Sequence, residues 1–397
     1  MAPKITICLI LSCALLGGYA SIFTSYYHGF FDAVRVCVAE PASFSGRCVL
    51  DMSDSIASFS TRHTGIAQVD SLIQVLLEFF SQGLRSDPAM RGVDIEALLA
   101  FGYLAAQFGA AWYLMALEGL RLGSRGTILS WTGTFGIIFQ GVTITIIAPI
   151  YLTLQLLLSP PTMQPSSILA DPCDLALLPV STVISYVLPT IGLCLPLLNV
   201  LSREAKYIAV ALWQPFPLYQ TAIQTVSRLF CRSRRGKANN TAHINPKECR
   251  RALDRAYTFI ASLTMGVHLI VLGIILVSPT GNLIPQVSGY HILGLTSLTD
   301  PPTLALLDPP LSVTSSREIV VSFLRWDVYC TCASMVIWAS YQLSMARGSS
   351  SATARGLKVL LWTLVGGPIF PALMILWERD DIIMGRLEET SWYQKEE

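Results

Sequence analysis

Residues 319–343 read IVVSFLRWDVYCTCASMVIWASYQL. The run is apolar and long enough to cross a bilayer, which takes about 20 helical residues. Yet it carries Arg325 and Asp327 inside one end. Stepping from Asp327 at helical spacing gives Thr331, Ser334, Trp338 and Tyr341, a polar and aromatic face on an otherwise greasy helix. An acid within a membrane helix costs roughly 2.5–3.5 kcal/mol on insertion scales, so it reads as functional unless it sits at headgroup level. Asp327 lies nearer the start of the segment than its centre, and from the sequence both readings stand.

The rest of the chain has the same character. Of 397 residues, 52% are hydrophobic and 13% charged. A soluble domain has about a quarter charged, so the expected class is an all-α, polytopic integral membrane bundle. Hydrophobic segments at 5–22, 95–117, 128–158, 175–201, 207–230, 257–277, 319–343 and 357–377 suggest about seven to eight transmembrane helices. Residues 1–22 are expected to form an N-terminal transmembrane segment or signal anchor, because the small-residue site near Tyr19–Ala20 is a poor cleavage site. Residues 23–94 form a loop with an amphipathic interfacial helix. There Val69, Leu72, Ile73, Leu76, Leu77 and Phe80 recur opposite Asp70, Gln74 and Glu78. Residues 95–381 make the helical domain and 382–397 a charged tail.

Basic loops at 231–255 and 347–358 belong in the cytosol by the positive-inside rule. Arg121 and Arg125 belong there too, but three hydrophobic segments separate them from the first basic loop, so one segment does not cross. The stretch 207–230, with Trp213-Gln214-Pro215-Phe216-Pro217, is the candidate for a re-entrant piece. Segment 128–158 is too long for a perpendicular crossing and should tilt, kink or protrude. A multi-pass protein of the endoplasmic reticulum membrane is expected.

The net charge of +1 gives no field for nucleic acid. Ten cysteines show no zinc spacing; Cys37 and Cys48 are either a disulfide or free thiols. P-loop, HExxH and DDxxD-type metal motifs are missing, and no cofactor or metal is expected. No internal repeat is visible, which weakens a transporter reading.

The polar residues inside apolar segments are Gln107, Glu118, Gln140, His268 and Asp327. A mostly apolar pocket with one or two acids suits a hydrophobic substrate that must be protonated. Aromatic faces stabilise a carbocation by about 0.5–2 kcal/mol each. A cyclase built from these residues starts by protonation without a metal.

The series Gln107, Trp112, Glu118-Gly119-Leu120-Arg121, Phe139-Gln140, Pro149, Tyr151, Trp213-Gln214-Pro215-Phe216-Pro217, His268, Phe323-Leu324-Arg325-Trp326-Asp327, Gly367-Pro368 and Trp377-Glu378-Arg379-Asp380 resembles the fungal membrane-bound terpene cyclases of ascochlorin and ascofuranone biosynthesis. The resemblance runs from about Asp70 to Asp381. It implies cyclisation of a farnesyl chain, often a terminal epoxide on an aromatic polyketide, in meroterpenoid or sesquiterpenoid secondary metabolism. The enzyme class implied is a metal-independent isomerase or lyase.

On this reading Asp327 is the first candidate for the acid and Glu118 the second. Trp338, Tyr341 and Trp112 would shield the cation, and Gln107, Gln140 and His268 would orient the acid or take the final proton; Trp213 joins the substrate-binding set. The expected partners are a hydrophobic prenylated substrate, the lipid bilayer and other enzymes of the same pathway. Two rivals are an exporter of a hydrophobic metabolite and a non-catalytic scaffold. In the scaffold Glu118 would pair with Arg121, and Asp327 with Arg325 or another helix's base.

Overall fold

The computed structural model describes residues 3–39, 65–84, 95–159, 164–195, 203–235, 244–277, 313–347 and 352–396. Regular structure among them is helical. Helix α1, Pro3–Gly18, continues through a π-helical turn, Tyr19–Phe23, into α2, Thr24–Tyr27. Helices α3 (Phe30–Ala39), α4 (Ala67–Gly83), α5 (Ile95–Gly119), α6 (Thr132–Val142) and α7 (Ile144–Leu158) follow. Then come α8 (Pro165–Ile168), α9 (Pro172–Thr182), α10 (Leu188–Cys194), α11 (Arg203–Trp213), α12 (Phe216–Arg235) and α13 (Pro246–Val277). The last three are α14 (Val313–Arg347), α15 (Ala352–Gly366) and α16 (Phe370–Glu396), which runs on through the charged tail. Among the described residues five helical runs are long and apolar enough to cross a membrane, or six if the bent pair α15–α16 is one span. The sequence count was about seven to eight.

Helix α5 lies at the centre, with Trp112, Tyr113, Leu114, Met115 and Leu117 buried. Gly109 allows close approach there: a Cβ on it would meet the Tyr186 ring at 2.3 Å. Asp171 caps α9, accepting from Cys173 N at 2.9 Å with Pro172 in the first turn. Three prolines in 175–201 argue for a broken helix, but α9 and α10 are joined by a π turn, Val183–Val187, which absorbs the disturbance.

Segment 128–158 folds back on itself. Thr132 of α6 lies against Gly119 at the end of α5, and Gln155 of α7 bonds Glu118. Between them the chain turns at Thr143, whose φ is 100° and ψ 145°. That region is nearly closed to a β-branched residue and costs about 1–3 kcal/mol, so the surroundings must hold it. They do so through Asp327, which accepts the Thr145 N–H at 2.9 Å. Eleven residues further along α14, about 16 Å at helical rise, Trp338 bonds Gln155 of the same α7. The tip is therefore one end of a helical hairpin whose open end lies beside Glu118.

Helices α15 and α16 form a second hairpin, bent by 119°. Its tip is Gly366-Gly367-Pro368, with Gly367 at φ 87°. Gln107 closes it: Nε2 donates to Gly366 O at 3.3 Å and Oε1 accepts from Ile369 N at 3.2 Å. A Cβ at Gly367 would meet the Gln107 amide at 2.5 Å, so this position requires glycine. Eleven residues past Gln107 on α5, Glu118 meets Arg379 of α16. The two hairpins thus open toward the same end. The reversals fall at 143 and 367, and 207–230 instead bends at Gln214–Pro215. From there α12 follows α9 in antiparallel order, with Gln220 on Thr182 and Arg228 on Asp174.

Charge collects at this end: Arg125 and Arg228 on Asp174, Arg347 and Lys358 on Glu378, Arg250 on Asp381. Cys173 and Cys231 pair there across α9 and α12. Cys48, of the expected Cys37–Cys48 pair, lies outside the described residues.

Helix α4 is split in its apolar face, with Leu77 buried. Val69 and Leu72 are exposed, while Asp70 and Glu78 are buried. Glu78 accepts from Gln82 at 2.5 Å and from Tyr207 at 3.3 Å, and Lys206 Nζ donates to Ser81 O at 2.6 Å. Burial pushes the Glu78 carboxyl above its ordinary range. The polar face is thus latched to α11.

Gln107→Ala strips the second tip of both its partners. Each buried group left unpaired costs about 1–3 kcal/mol. The thermal midpoint in detergent should fall clearly; an unchanged midpoint would mean that the tip does not depend on Gln107.

Candidate functional site

A cavity of about 200 Å³ lies where α4, α5, the α6–α7 tip and α14 meet. Phe79, Phe80, Phe101, Phe108, Phe139, Tyr186, Trp213 and Phe323 supply its rings. The rings brace one another: Phe79 and Phe323 centroids are 4.9 Å apart, Phe80 and Trp213 5.4 Å, Phe108 and Phe139 5.6 Å. Their polar ends are tied into the walls. Tyr186 Oη donates to Ala105 O at 2.6 Å, and Trp213 Nε1 to Thr190 Oγ1 at 3.0 Å. Ring faces are what remain for a ligand.

Asp327 is the one charged side chain among the described residues lining this cavity. The face read from the sequence packs inward, with Asp327, Thr331, Ser334 and Trp338 all buried. Oδ1 accepts the amide hydrogen of Thr145, in the first turn of α7, so the carboxyl caps a helix N-terminus inside the molecule. Arg325 is buried too, which places neither residue on an exposed rim. Gln140 also lines the cavity, three residues before the tip.

The other expected site residues lie elsewhere. Gln107 is engaged by the second hairpin. Trp112 is buried behind the cavity, donating to Gln220 Oε1 at 2.6 Å and set edge-on to Phe139 and Phe216. His268 Nε2 is 3.1 Å from Leu364 O, and the ring leans on Tyr103. Trp338 donates to Gln155 Oε1 at 2.6 Å, with the Arg379 guanidinium 6.0 Å over its ring. Tyr341 is half-buried one turn beyond.

Glu118 sits in a buried charge cluster. Its Oε1 lies 3.0 Å from Arg121 Nη2 and 2.7 Å from Arg379 Nη2. Asp380 contacts the same two arginines at 2.5 and 2.8 Å and accepts from Tyr257 at 2.7 Å. Two acids thus balance two guanidiniums, which suits burial at 4% exposure or less. Of Asp327, Glu118 and His268, Asp327 alone lines the cavity. The rings of Phe101, Phe108 and Tyr186 carry no mark in the sequence, where an aromatic in an apolar helix is indistinguishable from packing.

Among the described residues the fold is helical and carries an aromatic-lined cavity with a single acid on its wall. The chain belongs to the CtvD domain family, which matches residues 5–384. It is 29% identical to the terpene cyclase ascI of Acremonium egyptiacum, over 84% of this chain and 82% of that protein. It is 27% identical to the terpene cyclase ctvD of Aspergillus terreus, over 71% of this chain and 76% of the relative. Identity to the terpene cyclase atmA of Aspergillus flavus is 24%, over 94% and 96%. The resemblance to fungal cyclases of the ascochlorin type is thus borne out over most of the chain. No solved structure matches it.

Glu118→Gln leaves two buried arginines facing one carboxylate. Breaking such a set costs about 3–5 kcal/mol. The variant should unfold at a markedly lower temperature in detergent, and wild-type stability would show that the cluster carries no folding energy.

Proposed function

We propose that this chain is a membrane-embedded terpene cyclase of fungal secondary metabolism, closing rings on a farnesyl or other prenyl chain that ends in an epoxide. The supporting observation is Asp327, a lone acid on an aromatic cavity wall with one oxygen fixed by the Thr145 amide. With Oδ1 so engaged, the acid's proton is carried on Oδ2. Transfer to the epoxide oxygen breaks one C–O bond and leaves a hydroxyl and a tertiary cation. An internal alkene attacks that centre, forming a C–C bond and moving the charge along the chain. Ring faces lower each cationic stage by about 0.5–2 kcal/mol. Loss of a proton from a neighbouring carbon makes an alkene and, passed to the carboxylate, restores the acid. Substrate and product are then isomers, and no step requires a metal. A prenyltransferase and an epoxidising monooxygenase would supply the substrate.

The same reading orders the chain in the bilayer of the endoplasmic reticulum. The two hairpins enter from the charged end and leave there, so 128–158 and 357–377 are re-entrant pieces; of the other six segments, five form helical runs of spanning length and 207–230 crosses as the bent pair α11–α12. Arginine and lysine density assigns that end to the cytosol. The Cys173–Cys231 pair argues the other way, because disulfides persist in oxidising compartments. A cysteine at Ala238 should react with an impermeant reagent added from the cytosolic side of sealed microsomes. Reaction only after lumenal access would invert the orientation.

Asp327→Asn keeps size and removes the transferable proton. Turnover of an epoxyfarnesyl substrate should drop by about 10²–10⁴-fold at equal protein level. The wild type should keep its rate in excess EDTA. An active Asp327→Asn variant would end the protonation mechanism at this cavity, and EDTA inhibition reversed by Mg²⁺ would replace it with metal-assisted ionisation.

A further inference from the structure

The first helix bears on the acid through one glycine. An ideal Cβ on Gly17 would lie 2.0 Å from Thr145 Oγ1 and 2.9 Å from its Cγ2. On the adjacent Gly18 it would meet only Ile146 Cδ1, at an ordinary 3.5 Å. Glycine within a helix costs about 1 kcal/mol relative to alanine, so one at a buried contact has a reason to be there. Here α1 presses its bare backbone on the residue whose N–H holds Asp327. The same run reaches the site twice more. Ala20 packs with Trp326 and Cys330 on either side of Asp327 in α14, and Ile22 lines the cavity. Ser21 ties this stretch down, donating to Gly17 O at 2.6 Å.

We propose that Gly17 is a positioning residue for Asp327, acting through Thr145, and that α1 is a wall of the reaction site rather than a detachable anchor. The proposal rests on the reading of Asp327 as the acid. A methyl group at position 17 must displace Thr145, and with it the strained tip at Thr143. The tip has no slack, because Asp327 fixes it from one side and α1 from the other. A shift of about 1 Å in a reacting group can cost 10²-fold in rate while leaving the apolar binding surface in place.

The test compares kcat and KM of full-length, detergent-purified variants on an epoxyfarnesyl substrate. Gly17→Ala should lower kcat by at least about tenfold with KM within about threefold. Gly18→Ala makes the same change in helix propensity and should leave both constants within about twofold. In Gly17→Ala/Thr145→Ala the hydroxyl and methyl that clash are gone while the amide remains, and most of the lost kcat should return. Equal kcat for Gly17→Ala and Gly18→Ala would overturn the proposal, as would a double variant as slow as Gly17→Ala. If Gly17→Ala fails to accumulate, the double variant decides by the same measure against wild type: recovered kcat supports the proposal and a low kcat overturns it. Asp327→Asn is assayed alongside. If it is inactive while Gly17→Ala is normal, only the positioning role falls; if it is active, the acid reading falls.

Discussion

A helix that stops in an apolar interior leaves amide hydrogens and carbonyl oxygens that water cannot reach. Each unmet group there costs more than the hydrogen bond it lost. Among the described residues α6 and α15 stop in that way, at Val142 and Gly366, and each break is met by one polar side chain from a long helix. Asp327 serves the first and Gln107 the second. The hairpins can penetrate only because those partners stand at matching depth, and the partners tolerate burial only because the hairpins engage them. Site and fold therefore share one set of contacts: the acid facing the cavity is also the group that lets α7 begin where it does.

The two acids singled out in the sequence have different settings. Glu118 looks much like Asp327 on paper, each a carboxyl in an apolar segment at helical spacing from polar and aromatic residues. In space Glu118 joins Arg121, Arg379, Asp380 and Tyr257 at the charged end, while Asp327 faces rings. Sequence spacing can pair Glu118 with Arg121, three residues on. It cannot reveal that Arg379 and Asp380, some 260 residues away, complete the set. The same distance in sequence hides why Trp338, on the face of Asp327, turns to Gln155 and Arg379.

Much of the helical architecture was legible because apolar length and period carry it. The excess length of 128–158 already signalled trouble, and the run of arginines required one segment not to cross. That 128–158 folds back as a hairpin is hidden in the sequence, for a physical reason. Thr143 carries none of the usual marks of a chain reversal, since its φ of 100° is imposed by a contact 182 residues distant. The prolines at 215 and 217 drew attention instead, and they mark only a bend. Gly366-Gly367-Pro368 does carry such marks, but one glycine turn in the middle of an apolar segment does not announce a hairpin. In the cavity, Gln140, Trp213 and Asp327 were in the expected set, and most of the rings were not.

Leu72 lines the cavity and is also 47% exposed on α4, beside an exposed Val69. The cavity therefore borders the greasy exterior of the bundle. In a bilayer that exterior is acyl chain, and a prenylated ligand of the kind proposed would already be dissolved in it. Occupancy would then follow the mole fraction of ligand in the lipid rather than its concentration in water. Adding inert phospholipid at constant total ligand would dilute the reactant, and apparent affinity would scale with membrane volume. For such a protein, the solvent that competes with the ligand for the cavity is the hydrocarbon tail.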